Sequence, residues 1–169
     1  PGGPAGPGSP VCAGDEVWGM GPGGPVKGPR LTRSTPSGPQ ADAPSRYDPA
    51  GADIAATPLD LYIGPCTLVT ASGTSPHVTP ADLDWSVIDG ASRVLVRTYE
   101  SFPTDIWDPD FRALHADTID RLASSGCRLI GVDAASLDPQ TSKTMDAHHA
   151  VKRHDMRILE GLVFDRIPD

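Results

Sequence analysis

Residues 93–133, RVLVRTYESFPTDIWDPDFRALHADTIDRLASSGCRLIGVD, carry the pattern that decides the fold class. Runs rich in aliphatic residues at its two ends, 93–98 (RVLVRT) and 128–133 (RLIGVD), predict strands. The segment 110–125 between them predicts a helix, because its apolar side chains recur at helical spacing and Gly126 follows as a stop signal. A strand, a helix and a second strand form a right-handed crossover that makes the strands parallel. The sequence therefore predicts an α/β or α+β fold centred on a mixed sheet.

Further elements are predicted on both sides of this unit. Upstream, residues 66–70 predict a strand, and Thr79 followed by Pro80 marks a helix start, with the threonine as N-cap. Downstream, residues 157–164 (RILEGLVF) predict another strand, preceded by a helix. This order of elements agrees with a single α/β domain.

Composition separates the two ends of the chain. The 169 residues include 18 Gly and 19 Pro, many of them in the first forty positions, and residues 1–30 are predicted to be a flexible segment. Residues 31–169 are predicted to be one domain. We expect the chain to be truncated at its C-terminus, because a strand has only just ended there.

Charge and cysteine content exclude several classes of function. The net charge of −8 disfavours a nucleic acid or an anionic membrane as partner, since both need clustered Lys and Arg. The sequence contains no apolar run of the length that a membrane span needs. Three widely separated cysteines with no CxxC pair predict reduced thiols and a cytoplasmic protein.

Glu160 occupies a position that packing alone does not explain. It interrupts the apolar run 158–164 (ILEGLVF), and a buried carboxylate is costly unless it is paired or binds a metal. The alternative is a strand with one solvated face, because alternation places residues 158, 160 and 162 on the same side. The run itself leaves both interpretations open.

Histidines on the preceding helix and an upstream aspartate could join Glu160. At most one of His148 and His149 can face the core, because neighbours on a helix diverge by about 100°. A solvated surface is the alternative for each of them and for His154. Asp42, in QADAP (40–44), could equally belong to a turn. Two carboxylates and an imidazole converging from distant points would suit a divalent metal site better than ordinary packing.

Several separated stretches together resemble the bacterial kynurenine formamidases (arylformamidases) of the cyclase-like family. The resemblance covers roughly residues 25–168, and it implies a swivelling β/β/α fold and a homodimer. It also implies a pair of divalent metal ions, usually zinc. The implied activity is hydrolysis of N-formyl-L-kynurenine to L-kynurenine and formate in tryptophan catabolism. The stretches that carry it are PLDLYIGPC (58–66), RVLVRT (93–98), WDPDFRALHADTIDRLA (107–123), RLIGVDAASLDPQ (128–140) and SLDPQTSKTMDAHHAVKRHDMRILEGLV (136–163).

The family's metal motif matches residues 36–46, PSGPQADAPSR. The motif is a histidine, three residues, a second histidine, one residue, an aspartate, Ala-Pro, one residue and a third histidine. Asp42 matches the aspartate, which ligates both metals. Pro36 and Gln40 stand at the two ligand histidines, and Arg46 stands at the catalytic histidine.

The resemblance places the remaining ligands and a substrate contact elsewhere. His148 and Glu160 match the other metal ligands, and Cys12 stands where the family has an aromatic residue against the substrate. Proline has no donor atom and a glutamine amide is a poor zinc ligand. Only Asp42, His148 and Glu160 therefore remain, and three ligands with an open place are the count of one catalytic zinc. At most one metal ion is expected.

Arg46 removes the proton shuttle that the family places at this position. A guanidinium stays protonated, so it cannot serve the departing aniline nitrogen, and loss of a general acid–base costs about 10²–10⁴ in rate. Its charge would also repel a cation. The sequence predicts a metal-dependent amide hydrolase by descent, with little or no formamidase activity. The alternative is a catalytically inactive relative that serves as a structural or binding subunit.

Overall fold

A computed structural model describes residues 6–8, 13–22, 24–34 and 37–168. These residues belong to two compact units, one drawn from Pro1–Gly38 and Pro103–Trp107, the other from Pro39–Phe102 and Asp108–Asp169. None of the described helices combines the length and the apolarity that a membrane span requires.

The first unit contains a β-hairpin. Strands β1 (Ala13–Trp18) and β2 (Gly28–Thr32) pair antiparallel, and most of their side chains are exposed. Regular strands are thus present inside the segment predicted to be flexible. The flexibility of residues 1–30, the boundary at residue 30 and the C-terminal truncation stay predictions.

The second unit contains, in chain order, the elements β3 (Gln40–Asp42), β4 (Thr67–Thr70), β5 (His77–Val78), α1 (Trp85–Ile88), β6 (Arg93–Arg97), β7 (Ala113–Leu114), α2 (Ala116–Ser124), β8 (Leu129–Val132), α3 (Asp146–Arg153) and β9 (Arg157–Glu160). It is built around a five-stranded mixed sheet in the order β3-β9-β8-β6-β4. Neighbours from β4 to β9 run parallel, whereas β3 pairs antiparallel with β9 at the edge. Strands β5 and β7 form a separate parallel pair.

The predicted crossover and the mixed sheet are confirmed. Strands β6 and β8 are parallel neighbours, and α2 lies between them in the chain. The strands are apolar because they lie at the centre of the unit, where both faces of β8 are covered. Fully or almost fully buried residues of the sheet include Val94, Val96, Leu129, Ile130, Val132 and Ile158.

The helix predicted over residues 110–125 is shorter than expected. Ala113 and Leu114 form β7 instead, and α2 begins only at Ala116. His115 is the N-cap, since its Nδ1 accepts the N–H of Asp117 at 3.2 Å. The helical spacing of the apolar residues therefore extended beyond the helix itself. The start predicted at Thr79 is a single 3-10 turn, Pro80–Asp82, closed by a capping box.

The strand predicted over residues 157–164 ends at Glu160. Gly161 follows with φ +64°, a conformation that other residues rarely adopt, and the regular strand stops there. Glu160 is 1% exposed, so the interpretation of a solvated strand face is wrong. Its carboxylate needs partners inside the protein.

Candidate metal centre

Three acidic and imidazole side chains from distant parts of the chain meet at one edge of the central sheet. Asp42 in β3 lies opposite Ile158 in the neighbouring antiparallel strand β9. Because Glu160 is two residues beyond Ile158, its side chain shares a face of the sheet with that of Asp42. His148 lies in the first turns of α3, on its buried face. One potential ligand atom from each residue lies within 4.8 Å of the others. All three side chains are buried.

The arrangement of the three ligand atoms fits a divalent cation. His148 Nε2 lies 3.7 Å from Asp42 Oδ2 and 3.6 Å from Glu160 Oε1, too far for direct hydrogen bonds. Asp42 Oδ2 is buried and accepts no hydrogen bond. A buried carboxylate oxygen without a donor is costly, and a cation would satisfy it. One imidazole nitrogen and two carboxylate oxygens are also ligands that zinc accepts.

Gln40 and Arg46 complete the cluster around the three candidate ligands. The amide Nε2 of Gln40 donates to Asp42 Oδ1 and to Glu160 Oε2, each at 3.2 Å, and so bridges the two carboxylates. Arg46 Nε lies 2.8 Å from Asp42 Oδ2, an ion-pair distance, although its N–H is not directed at that oxygen. The cluster therefore already contains one neutral and one cationic group.

His148 is held by residues on its far side. Its Nδ1 lies 2.6 Å from Oδ2 of Asp138, a buried carboxylate that also accepts the backbone N–H groups of Ala147 and His148. The ring of Tyr47 contacts the imidazole edge to face at 5.7 Å between centroids. Asp138 was missed by the sequence analysis, because it precedes the helix by a whole loop and shows no cap spacing. The only available signal is an aspartate in an apolar setting, SLDP (136–139).

The pKa values in the cluster follow from burial and crowding. Burial lowers the pKa of His148, but the hydrogen bond to Asp138 and the charges of Asp42 and Glu160 raise it by more than burial lowers it. The pKa is therefore raised to about 9. Burial, reinforced by the charge of Asp42, raises the pKa of Glu160. Burial raises the pKa of Asp138, yet its hydrogen bonds from His148 and Ala147 lower it overall. Without a cation the cluster therefore retains a proton that a metal would displace.

The other residues singled out from the sequence lie apart from this cluster or outside the described residues. His149 is exposed, as expected for the neighbour of a buried histidine on a helix. His154 is the C-cap of α3, and its Nε2 contacts Asp120 at 2.8 Å. Pro36 and Cys12 lie outside the described residues.

Comparison with known proteins identifies the family of this chain. Residues 7–139 match the model of the Cyclase family, described as "Putative cyclase". The chain belongs to the cyclase family. This family member is 75% identical over 166 residues to the kynurenine formamidase of Maricaulis maris (strain MCS10), a match that covers 98% of this chain and 79% of that protein. The resemblance to bacterial kynurenine formamidases is thereby confirmed.

Solved structures confirm the fold of this cyclase-family chain. A potential metal-dependent hydrolase with cyclase activity superposes with a TM-score of 0.80 at 21% identity, covering 99% of this chain and 79% of that one. A predicted metal-dependent hydrolase from Bacillus stearothermophilus also gives 0.80, at 23% identity, covering 99% of this chain and 80% of that one. The cyclase-like mixed fold predicted from the sequence is therefore confirmed.

Proposed function

We propose that this chain is an arylformamidase-type amide hydrolase that converts N-formyl-L-kynurenine to L-kynurenine and formate. Its 75% identity to a kynurenine formamidase supports the substrate and the amide bond that is cleaved. The observation that carries the proposal is the buried convergence of Asp42, His148 and Glu160. With that substrate, the proposed reaction belongs to the kynurenine pathway of tryptophan catabolism.

We infer that Asp42, His148 and Glu160 hold one zinc ion. The carboxylates would neutralise the cation, and the imidazole Nε2 would supply the nitrogen ligand. A bound zinc would supply Lewis acidity, which polarises the formyl carbonyl and lowers the pKa of water. Three protein ligands leave a place for water or substrate, as in catalytic rather than structural zinc sites.

Gln40 and Arg46 determine how well this centre works. The Gln40 amide already hydrogen-bonds both carboxylates, so it lowers their electron density and weakens them as ligands. Arg46 keeps its proton and cannot transfer one to the leaving aniline nitrogen. The chain therefore retains binding groups for one metal but lacks a proton shuttle at position 46. We expect slow turnover, about 10²–10⁴ below that of a chain with histidine there.

A catalytically inactive binding subunit is the alternative, and the identity to an enzyme does not favour it. The homodimer and the cytoplasmic location belong to the proposal, and both rest on the family resemblance. The proposal includes no nucleic-acid or membrane partner, which agrees with the net charge of −8. The substrate contact at Cys12 is likewise part of the proposal.

The activity is tested by measuring how fast the zinc-loaded chain releases formate and kynurenine from N-formyl-L-kynurenine. We expect Arg46→His to raise the rate by about 10² or more, because it restores a group that titrates near neutral pH. The triple variant P36H/Q40H/R46H should raise it further by rebuilding the second metal position. His154→Gln, on the same helix as His148 but paired with Asp120, is the matched control and should change nothing. A folded, zinc-loaded triple variant with no formamidase activity would contradict the proposal.

A further inference from the structure

We propose that Asp138 is a positioning residue that holds the His148 ring with its Nε2 atom directed at Asp42 and Glu160. The identity of the cation rests on the proposed function, whereas the contact between Asp138 and His148 does not depend on it. Asp138 belongs neither to the sequence motif nor to the three candidate ligands. It acts through His148, because the contact is made on the opposite edge of the ring.

The contact leaves little freedom to the imidazole. Asp138 is 4% exposed, and its Oδ2 lies 2.6 Å from His148 Nδ1. A carboxylate offers only acceptor atoms, so Nδ1 must carry the proton of this short hydrogen bond. Nε2 is then the nitrogen available to a cation, and it is the atom nearest to the oxygens of Asp42 and Glu160. A carboxylate on the second ring nitrogen also raises the basicity of a metal-binding imidazole.

The carboxylate of Asp138 is itself anchored. Its Oδ1 accepts the N–H of Ala147 and its Oδ2 accepts the N–H of His148, each at 3.0 Å. The first N–H groups of a helix have no acceptor within the helix itself, and the N-cap residue of α3, Met145, accepts no hydrogen bond with its side chain. Asp138 therefore joins the start of the helix to the ring of a residue within it. Backbone and ring are held by the same two oxygens.

A purely structural role as a helix cap is the competing explanation, and Asp133 provides a matched control. Asp133 is also a buried aspartate, 2% exposed, and it accepts backbone N–H groups from Thr98 and Tyr99 at 2.8–3.0 Å. Its hydrogen bonds do not include any of the three candidate ligands. Asp133→Asn therefore perturbs a comparable set of buried backbone hydrogen bonds without touching the histidine.

The experiment measures zinc affinity by competition with a chelator, together with the ¹⁵N-coupled Nδ1–H proton of His148 in the metal-free chain. In the parent we expect a downfield Nδ1–H resonance protected from exchange by Asp138. Asp138→Ala should lose this resonance and bind zinc about 10–100-fold more weakly. In Asp138→Asn, one amide cannot serve both helix N–H groups and Nδ1–H, so we expect the same loss of zinc affinity in a variant closer in shape. Asp133→Asn should keep both the resonance and the affinity.

The outcomes separate the explanations. A folded Asp138→Ala variant with the parent's zinc affinity and resonance would overturn the inference, as would an equal loss of affinity in Asp133→Asn. If Asp138→Ala does not fold, Asp138→Asn decides the question with the same two readouts. A parent that shows the protected Nδ1–H but binds no zinc would contradict the proposed function, while the contact between Asp138 and His148 would stand.

Discussion

At the scale of single residues, two carboxylates and an imidazole share a space from which water is largely excluded. Like charges on Asp42 and Glu160 oppose each other, and the bridging amide of Gln40 offsets part of that repulsion. The protonated form of His148 is stabilised by both carboxylates and by Asp138. Its pKa therefore rises, although burial alone would lower it. The unloaded cluster is therefore stabilised by a proton, and its stability depends on pH.

The first prediction concerns the stability of the metal-free chain. The pKa of His148 is raised from 6.5 to about 9, so its stabilising contribution is complete below pH 6.5 and is lost as the pH rises through about 9. The raised pKa of Glu160 acts in the same direction. A shift of this size corresponds to a loss of about 3 kcal/mol at most. Urea unfolding with a chelator present, at several pH values between 6 and about 9.5, measures it.

Two histidine variants serve as controls for this pH dependence. His148→Gln should flatten the profile, whereas His149→Gln, at the exposed neighbouring position, should retain it. A profile for the parent that is level across this range would show that the imidazole is not stabilised as the geometry implies.

The second prediction concerns Arg46, which competes with a cation for Asp42. Its side chain is 44% exposed and its Nε lies 2.8 Å from Asp42 Oδ2. A partly exposed ion pair contributes about 0.2–1 kcal/mol, so Arg46→Ala should tighten zinc binding by up to about fivefold. Calorimetric titration with zinc is the measurement. Arg153→Ala removes a comparable exposed ion pair with Asp120 and should leave zinc affinity unchanged.

At the scale of elements, the site depends on how three of them are arranged. The antiparallel register of β3 and β9, with Asp42 opposite Ile158, puts Asp42 and Glu160 on one face of the sheet, and the first turn of α3 is tied to Asp138. The neighbouring strand β8 is covered on both faces, and side chains from Leu95 and Leu162 come close to Gly131, which has no side chain of its own. A Cβ atom there would meet Leu95 Cδ2 at 2.5 Å and Leu162 Cδ1 at 2.9 Å.

The third prediction follows from that close approach. Gly131→Ala should lower the free energy of unfolding by about 1–3 kcal/mol, because a methyl group would overfill a packed core. Denaturant unfolding measures the loss. Gly14→Ala is the control, since a Cβ on that strand residue would meet only Arg30 O, at 4.0 Å. Equal stability of the parent and the Gly131 variant would mean that Leu95 and Leu162 move aside without cost.

At the scale of the whole molecule, every described residue of the site belongs to the second compact unit. Gln40, Asp42 and Arg46 enter it from one end of the chain, and His148 and Glu160 from the other. A cation bound there would link the two ends and would bind the folded chain far better than the unfolded one. Metal binding should therefore appear as global stabilisation.

The fourth prediction is that zinc raises the melting temperature of the chain and a chelator reverses the change. At a free zinc concentration 100-fold above Kd, the expected gain is about 2.7 kcal/mol. Elemental analysis should find about one zinc per chain, the count of a three-ligand centre. Glu160→Gln should abolish the gain, whereas Glu100→Gln, outside the cluster, should retain it. No bound zinc and no change in melting temperature would contradict the proposed centre.

The crossover, the mixed sheet and the family were predictable from the residues alone, because aliphatic periods and motif order are local properties of the chain. The sequence also singled out Asp42, His148 and Glu160, through a carboxylate in an apolar run and a motif match. The folded chain was needed to show that Gln40 bridges two carboxylates, that Arg46 pairs with Asp42 and that Asp138 contacts His148. It was also needed to show that α2 starts at Ala116. These features depend on contacts between residues far apart in the chain, and no local period encodes which distant groups will meet.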